Sequence, residues 1–203
     1  MKIQNKSFVR PVNYTGVITK LGPVHPEHDF DKLWTWINDR EVNKFTTANY
    51  PVQFYAEKEY IESIHKRSSD VLFAIQTLDG DFIGMMGLHN IHLTNGTATT
   101  GALIGEAEYR GKHYGRDAKM HVLYHAFHVL GLRKVFSKVK AFNKPSLKYL
   151  KETGYKIEGT LKEMFYFEGE YYDEVLLSIT REDFLPLWEE YKKKLADSKP
   201  PSK

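Results

Sequence analysis

Ile104-Gly105-Glu106-Ala107-Glu108-Tyr109-Arg110-Gly111-Lys112-His113-Tyr114-Gly115-Arg116-Asp117-Ala118 is the stretch on which the fold turns. Ahead of it, an Asn95-Gly96 turn introduces a strand over Thr97 to Ile104. Behind it, the spacing predicts a long helix over Arg116 to Leu130, closed by Gly131 as a C-terminal cap. A helix N-terminus leaves backbone N–H groups unpaired and carries a partial positive charge. Glycine lets the chain curl so that successive N–H groups converge, and Arg110, Lys112 and Arg116 add full charges around the curl. The geometry suits a pyrophosphate. Two other phosphate motifs are excluded: there is no Gly-Lys-Ser/Thr, and Gly111 to Gly115 does not spell the dinucleotide fingerprint. On these residues alone, a plain glycine-rich connection with basic decoration accounts for the loop equally well.

Working outward, the periodicity switches repeatedly between 2 and 3.6. A short strand bracketed by Val17, Leu21 and Val24 stops at Gly22-Pro23, and a helix entered at His25–Asp29 carries Phe30, Leu33, Trp34 and Ile37. A second helix fits Tyr55 to His65. Strands at Val71–Ile75 and Phe82–Leu88 flank a turn at Leu78–Asp81. After the long helix, a strand fits Val135–Phe142, a helix Ser146–Glu152, and a hairpin Tyr155–Phe167 with Tyr171–Ile179. The expected class is α/β (α+β): a mixed, mostly antiparallel twisted sheet flanked by helices. The expected organisation is a lead-in over 1–15, one domain over 16–184, and a C-terminal helix with a Lys-rich tail over 185–203. The tail from Lys192 onward reads as a solvated, frayed end.

Composition narrows the function. The 203 residues are 41% hydrophobic and 27% charged, with a formal net charge of only +3, which argues against a nucleic-acid or membrane-surface partner. With no cysteine, the chain has no disulfide framework, no thiolate metal site and no thioester on the protein. No apolar run reaches the roughly 20 residues of a membrane span. Met1 to Lys6 leads into no apolar signal core, so a cytoplasmic location is expected. His89 and His92 lack a third ligand at useful spacing, so no metal is expected.

Arg110-Gly111-Lys112-His113-Tyr114-Gly115 resembles the acetyl-CoA motif Arg/Gln-x-x-Gly-x-Gly/Ala of the GNAT N-acyltransferase superfamily. Trp36-Ile37-Asn38-Asp39-Arg40-Glu41-Val42 is similar to a segment of its Rim-type, ribosomal-protein-acetylating branch. So are Asn143-Lys144-Pro145-Ser146 followed by Leu150 to Tyr155, and the closing Glu158–Glu163 and Gly169–Asp173 segments. The likeness runs from about Gly16 to Phe184, with one departure: His113 stands where the motif has its first glycine, so positive φ there would cost on the order of 1 kcal/mol.

The resemblance implies a GNAT fold and transfer of an acetyl group from acetyl-CoA, the co-substrate, to a primary amine, either a protein N-terminus or a small amine. Attack is direct, within a ternary complex. It implies that Leu103, Ile104 and Gly105 lie along the pantetheine arm. Arg110, Gly111, Lys112, His113, Tyr114, Gly115 and Arg116 would hold the pyrophosphate, and Asn143 and Ser146 would lie near the thiol end. Asn143 and Ser146 equally suit an N-cap. Relatives' Tyr acid falls at Leu150, leaving Ser146 or water for the thiolate, with Tyr149 a weaker substitute. Glu163 is the expected base, with Glu106 and Glu108 as alternatives, and Trp36, Asn38 and Phe45 are expected to line the acceptor side. His113 and Leu150 keep open an alternative, a catalytically inactive acyl-CoA-binding sensor. A monomer or homodimer is expected.

Overall fold

β-Branched and aromatic runs separated by Gly, Asn and Asp turns assemble into one eight-stranded sheet. The computed structural model describes residues 8–48 and 51–198. Its strands are β1 (Tyr14–Thr15), β2 (Thr19–Pro23), β3 (Val71–Thr77), β4 (Phe82–His92), β5 (Thr97–Ile104), β6 (Lys134–Lys140), β7 (Lys156–Phe167) and β8 (Glu170–Thr180). Their order across the sheet is β1-β2-β3-β4-β5-β6-β8-β7, and every pairing is antiparallel except β5 with β6. The expected mixed, mostly antiparallel architecture is what forms.

Alternation within the strands builds two cores, because successive side chains point to opposite faces. Phe73, Ile75 and Ile83 face one way, together with Ala118, Val122, Phe127, Leu150 and Phe184. These join the sheet to α4 (Tyr114–Tyr124), α5 (Lys144–Glu152) and α6 (Arg181–Asp197). Ala74 and Phe82 face the other way and meet Leu33, Trp36, Val42 and Ile61. Those belong to α1 (Pro26–Asn38), α2 (Arg40–Asn43) and α3 (Phe54–Ser63).

Three boundaries differ from the sequence reading. The long helix starts at Tyr114, two residues earlier than expected, and after Tyr124 widens into a π-turn over His125–Val129. The stretch from Lys192 to Asp197, expected to fray, is the last part of α6. Thr180 caps that helix and Phe184, Trp188 and Tyr191 bury one of its faces, while residues 199–203 lie outside the described range. Nor are residues 8–15 a loose lead-in. Arg10 is buried and donates to Asp29 Oδ2 at 2.9 Å, and β1 joins the sheet. Residues 1–7 lie outside the described range.

Candidate active site

The one parallel pairing opens like a fork. β5 and β6 pair only at Thr97–Thr99 with Lys134–Phe136, although both strands continue. At the apex, side chains take over from the ladder: Thr100 Oγ1 and Ser137 Oγ lie 2.6 Å apart, and Tyr155 Oη reaches Thr100 Oγ1 at 3.0 Å. Beyond it, β6 remains paired to β8 and β5 to β4, so the facing edges of Gly101–Ile104 and Lys138–Lys140 have no strand partner. Ala102 is exposed in the middle of an eight-stranded sheet. An extended, amide-bearing chain would find free main-chain groups there.

At the mouth of the fork stands the N-terminus of α4. Gly111 (φ 73°) and His113 (φ 67°, ψ 1°) both take the left-handed conformation, and His113 is the N-cap. His113 thus takes the left-handed turn that the motif glycine at this position would take without strain. The first intrahelical bond runs from Asp117 N–H to His113 C=O at 2.9 Å, which leaves the N–H groups before it facing outward. Gly115 is not demanded by packing, since a Cβ there would meet only Ile104 at 4.0 Å. Its missing side chain keeps the row of N–H groups open, and the exposed Lys112 and Arg116 flank it. These residues fit a diphosphate.

Other expected cofactor residues are placed differently. Arg110 does not face the cradle: its guanidinium donates to the carbonyls of Ile104, at 3.0 Å, and of Gly105. It ties the loop to the end of β5, and two carbonyls of the expected Leu103–Gly105 contact already have a donor. Gly105 is a packing glycine, because a Cβ there would lie 1.9 Å from the Trp36 ring. Asn143 caps α5, its Oδ1 accepting from Ser146 N–H at 3.2 Å, so the capping role is real. Ser146 is half-buried in the first turn of α5. Leu150, at the family's Tyr position, is 1% exposed and part of the core.

The catalytic and acceptor expectations need correction. Glu163 lies exposed on β7, with φ 53°, where the β7–β8 register shifts between Leu161 and Phe165. Its N–H donates to Asp173 Oδ1 at 3.1 Å, and β8 separates its strand from β6. The bulge turns it out to solvent, and no contact joins it to Ser146 or Asn143. Asn38 spends both ends of its amide on backbone: Oδ1 accepts from Val52 N–H at 2.8 Å, and Nδ2 donates to Trp34 and Val52 carbonyls at 3.0 Å. It is a clamp on α1. Trp36 is 5% exposed, mainly core, with one edge lining a groove.

That groove, of about 400 Å³, lies at the end of β5 on the α1 side, with Asp31, Asp39 and Glu106 on its walls. Glu106 pairs with Lys32 at 2.8 Å and Glu41 with Lys44 at 2.6 Å, so Glu41, Glu106 and Glu163 share no contact. Phe45, 37% exposed, belongs to a different opening, packing on Phe142, which in turn meets Phe167 and Tyr172. Beside them the Lys140 ammonium donates to the carbonyls of Lys44 and Thr46 at 3.0 and 2.8 Å, and burial lowers its pKa. His89 pairs with Asp70 at 3.3 Å and His92 accepts from Asn95 N–H. Among the described residues no three His, Cys, Asp or Glu are grouped to hold a metal ion.

One group was missed altogether. Lys119 of α4 has no exposed surface, and among the described residues its Nζ has no hydrogen-bond partner. The rings of Tyr149 and Tyr155 lie 5.8 Å from it. Burial pushes its pKa down to about 7 and raises those of Tyr149 and Tyr155. A signal existed: Lys119 shares the apolar helical stripe of Val122, Leu123 and Ala126.

Comparison with known proteins agrees with this geometry. A family model described as an acetyltransferase (GNAT) domain matches residues 20–156. The chain is 27% identical over 173 residues to an uncharacterized N-acetyltransferase, YokL, derived from the SPbeta prophage of Bacillus subtilis, covering 84% of this chain and 94% of that protein. It is 26% identical over 150 residues to the spermidine N(1)-acetyltransferase of Vibrio cholerae, covering 73% and 85%. The crystal structure of spermidine N-acetyltransferase from Vibrio cholerae in complex with CoA and spermine superposes with a TM-score of 0.75 at 23% identity. That superposition covers 82% of this chain and 98% of the other.

Proposed function

The chain belongs to the GNAT acetyltransferase domain family, and from that premise we propose that it moves the acetyl group of acetyl-CoA onto a primary amine of a small aliphatic polyamine. The observation that carries this reading is the fork with an anion cradle at its mouth. Residues 101–103 offer an extended arm main-chain partners, and the N-terminus of α4, with Lys112 and Arg116, offers a diphosphate its donors. Bound acetyl-CoA supplies the thioester carbonyl. The acceptor side is the groove beside Trp36, on the opposite face of the sheet, whose Asp31 and Asp39 suit a second, protonated amine, while its Glu106 is already paired with Lys32. The relative that acts on spermidine supports the same acceptor class.

An aliphatic amine with a pKa near ~10 is protonated at neutral pH and must lose a proton before its nitrogen attacks. At the fork apex Thr100, Ser137 and Tyr155 supply hydroxyls, and the buried carboxylate beside the open edge of β6, Glu174, is paired with Lys138 at 3.8 Å. Proton removal is therefore assigned to water entering the open fork, and Glu163 is not retained as the base. The Ser146 hydroxyl, in the first turn of α5, remains the candidate donor to the departing thiolate. A second acceptor, the N-terminus of a protein as in the Rim-type branch, is favoured by the Lys140 ammonium. That charge beside Phe142 and Phe165 would repel a polycation entering from the hairpin side.

Release of free CoA from acetyl-CoA, measured across spermidine, simple monoamines and short peptides, tests the proposal. Turnover highest with spermidine, and lowered by Asp31→Asn with Asp39→Asn, is expected. Turnover with peptides alone would replace the first acceptor by the second. Acetyl-CoA binding without turnover on any amine would instead fit the sensor reading.

A further inference from the structure

Buried donors in folded proteins are almost always partnered, and a buried ammonium without a partner is costly. Lys119 is such a group, and its position explains what it is for. It lies four residues, one helical turn, beyond Gly115, so both project from the same face of α4. Gly115 looks toward Ile104 at the open end of β5, while Lys119 lies over Tyr155, whose hydroxyl reaches Thr100 at the apex of the fork. Tyr149 covers it from α5. Lys119 therefore lies between the cradle and the apex with no exposed surface beneath Tyr149, and an arm laid between α4 and α5 reaches its Nζ only as the Tyr149 ring turns aside.

We infer that Lys119 is a cofactor-binding residue outside the recognised motif: its Nζ donates to a carbonyl or hydroxyl oxygen of the pantetheine arm, completing an otherwise unpartnered group. This rests on the reading that acetyl-CoA occupies the fork. The groups facing Lys119 are Tyr149 from α5 and Tyr155 ahead of β7, whose hydroxyl in turn reaches Thr100 of the sheet. The charged neighbour on its own helix, Asp117, is turned away and held by Tyr191 and by residues 17–19. Among the described residues no carboxylate reaches its Nζ. Oxygen acceptors on the arm, with the diphosphate a turn away, would favour its charged form, so closure of the arm over Lys119 takes up a proton.

Calorimetric titration separates the two claims. CoA and 3′-phospho-ADP, which carries the same phosphates but no pantetheine, are titrated into the wild-type protein and Lys119→Met, in buffers of different ionisation enthalpy near pH 8. Binding of both ligands to wild type tests the cradle itself, so failure there overturns the functional reading rather than this inference. For Lys119→Met, CoA affinity is expected to fall about tenfold or more, as for loss of a charged hydrogen bond, with 3′-phospho-ADP unchanged. Wild type is expected to take up more protons with CoA than with the fragment, and the variant to lose that excess. Equal weakening of both ligands, or no change in either, would overturn the inference. Should the variant not fold, equal proton uptake with the two ligands by the wild type would overturn it.

Discussion

Asp117 and Lys119 sit two residues apart on one helix, both buried, and they are treated in opposite ways. Asp117 accepts from Val17 N–H (3.1 Å), Ile18 N–H (3.1 Å), Thr19 N–H (2.9 Å), Thr19 Oγ1 (2.6 Å) and Tyr191 Oη (2.5 Å). Lys119 accepts nothing and donates to nothing among the described residues. A buried charge held by that many donors is a structural rivet, tying the β1–β2 turn and α6 onto α4. A buried ammonium with none is a liability in the isolated chain that a ligand can relieve. The comparison teaches where this fold is complete in itself and where it is built to be completed.

Breaking the rivet should have the largest effect. Asp117→Ala strands several buried donors and is expected to lower stability by about 3–5 kcal/mol, read from the denaturant midpoint. Its neighbour should respond in the reverse sense. Lys119 is charged in the unfolded chain but largely neutral above about 7 when folded. The unfolded state therefore binds more protons between pH 7 and 9, and wild-type stability rises with pH in that window. Lys119→Met, close in volume, is expected to be the more stable protein at pH 7. Its advantage should shrink by about 1.4 kcal/mol per pH unit toward pH 9. A constant difference across that range would mean that Lys119 keeps its proton in the folded protein.

The cradle gives a third, smaller contrast. Gly115→Ala adds a side chain that the protein itself accommodates, so stability should hold or rise by up to about 1 kcal/mol. The new methyl stands before the exposed N–H groups, so CoA affinity should fall roughly tenfold by titration. The smallest effect belongs to the hairpin. Glu163→Gln is expected to leave kcat/KM within roughly twofold, whereas a base would cost orders of magnitude.

What was legible in the sequence was what local chemistry dictates. Glycine spacing and the basic residues marked the cradle, the period switches marked the strands and helices, and the left-handed turn at residue 113 followed from the motif glycine it replaces. What was not legible depends on partners distant in sequence. Asp117 is satisfied by residues about 100 positions before it and 74 after it. Arg110 folds back on β5 because two strand-end carbonyls lie within its reach. Glu163 looked like a strand residue facing the site, but it sits at positive φ inside an irregular stretch where β7 carries two residues more than β8, and its side chain is exposed. Asn38 looked like an acceptor contact because its second use, holding residue 52, is not written in its neighbours.

Amide hydrogen exchange with and without saturating CoA tests most directly whether the fork and the cradle hold the cofactor. Slowed exchange confined mainly to Gly101–Leu103 and Tyr114–Arg116 is the expected result. Unchanged exchange at both segments, with CoA demonstrably bound, would contradict it.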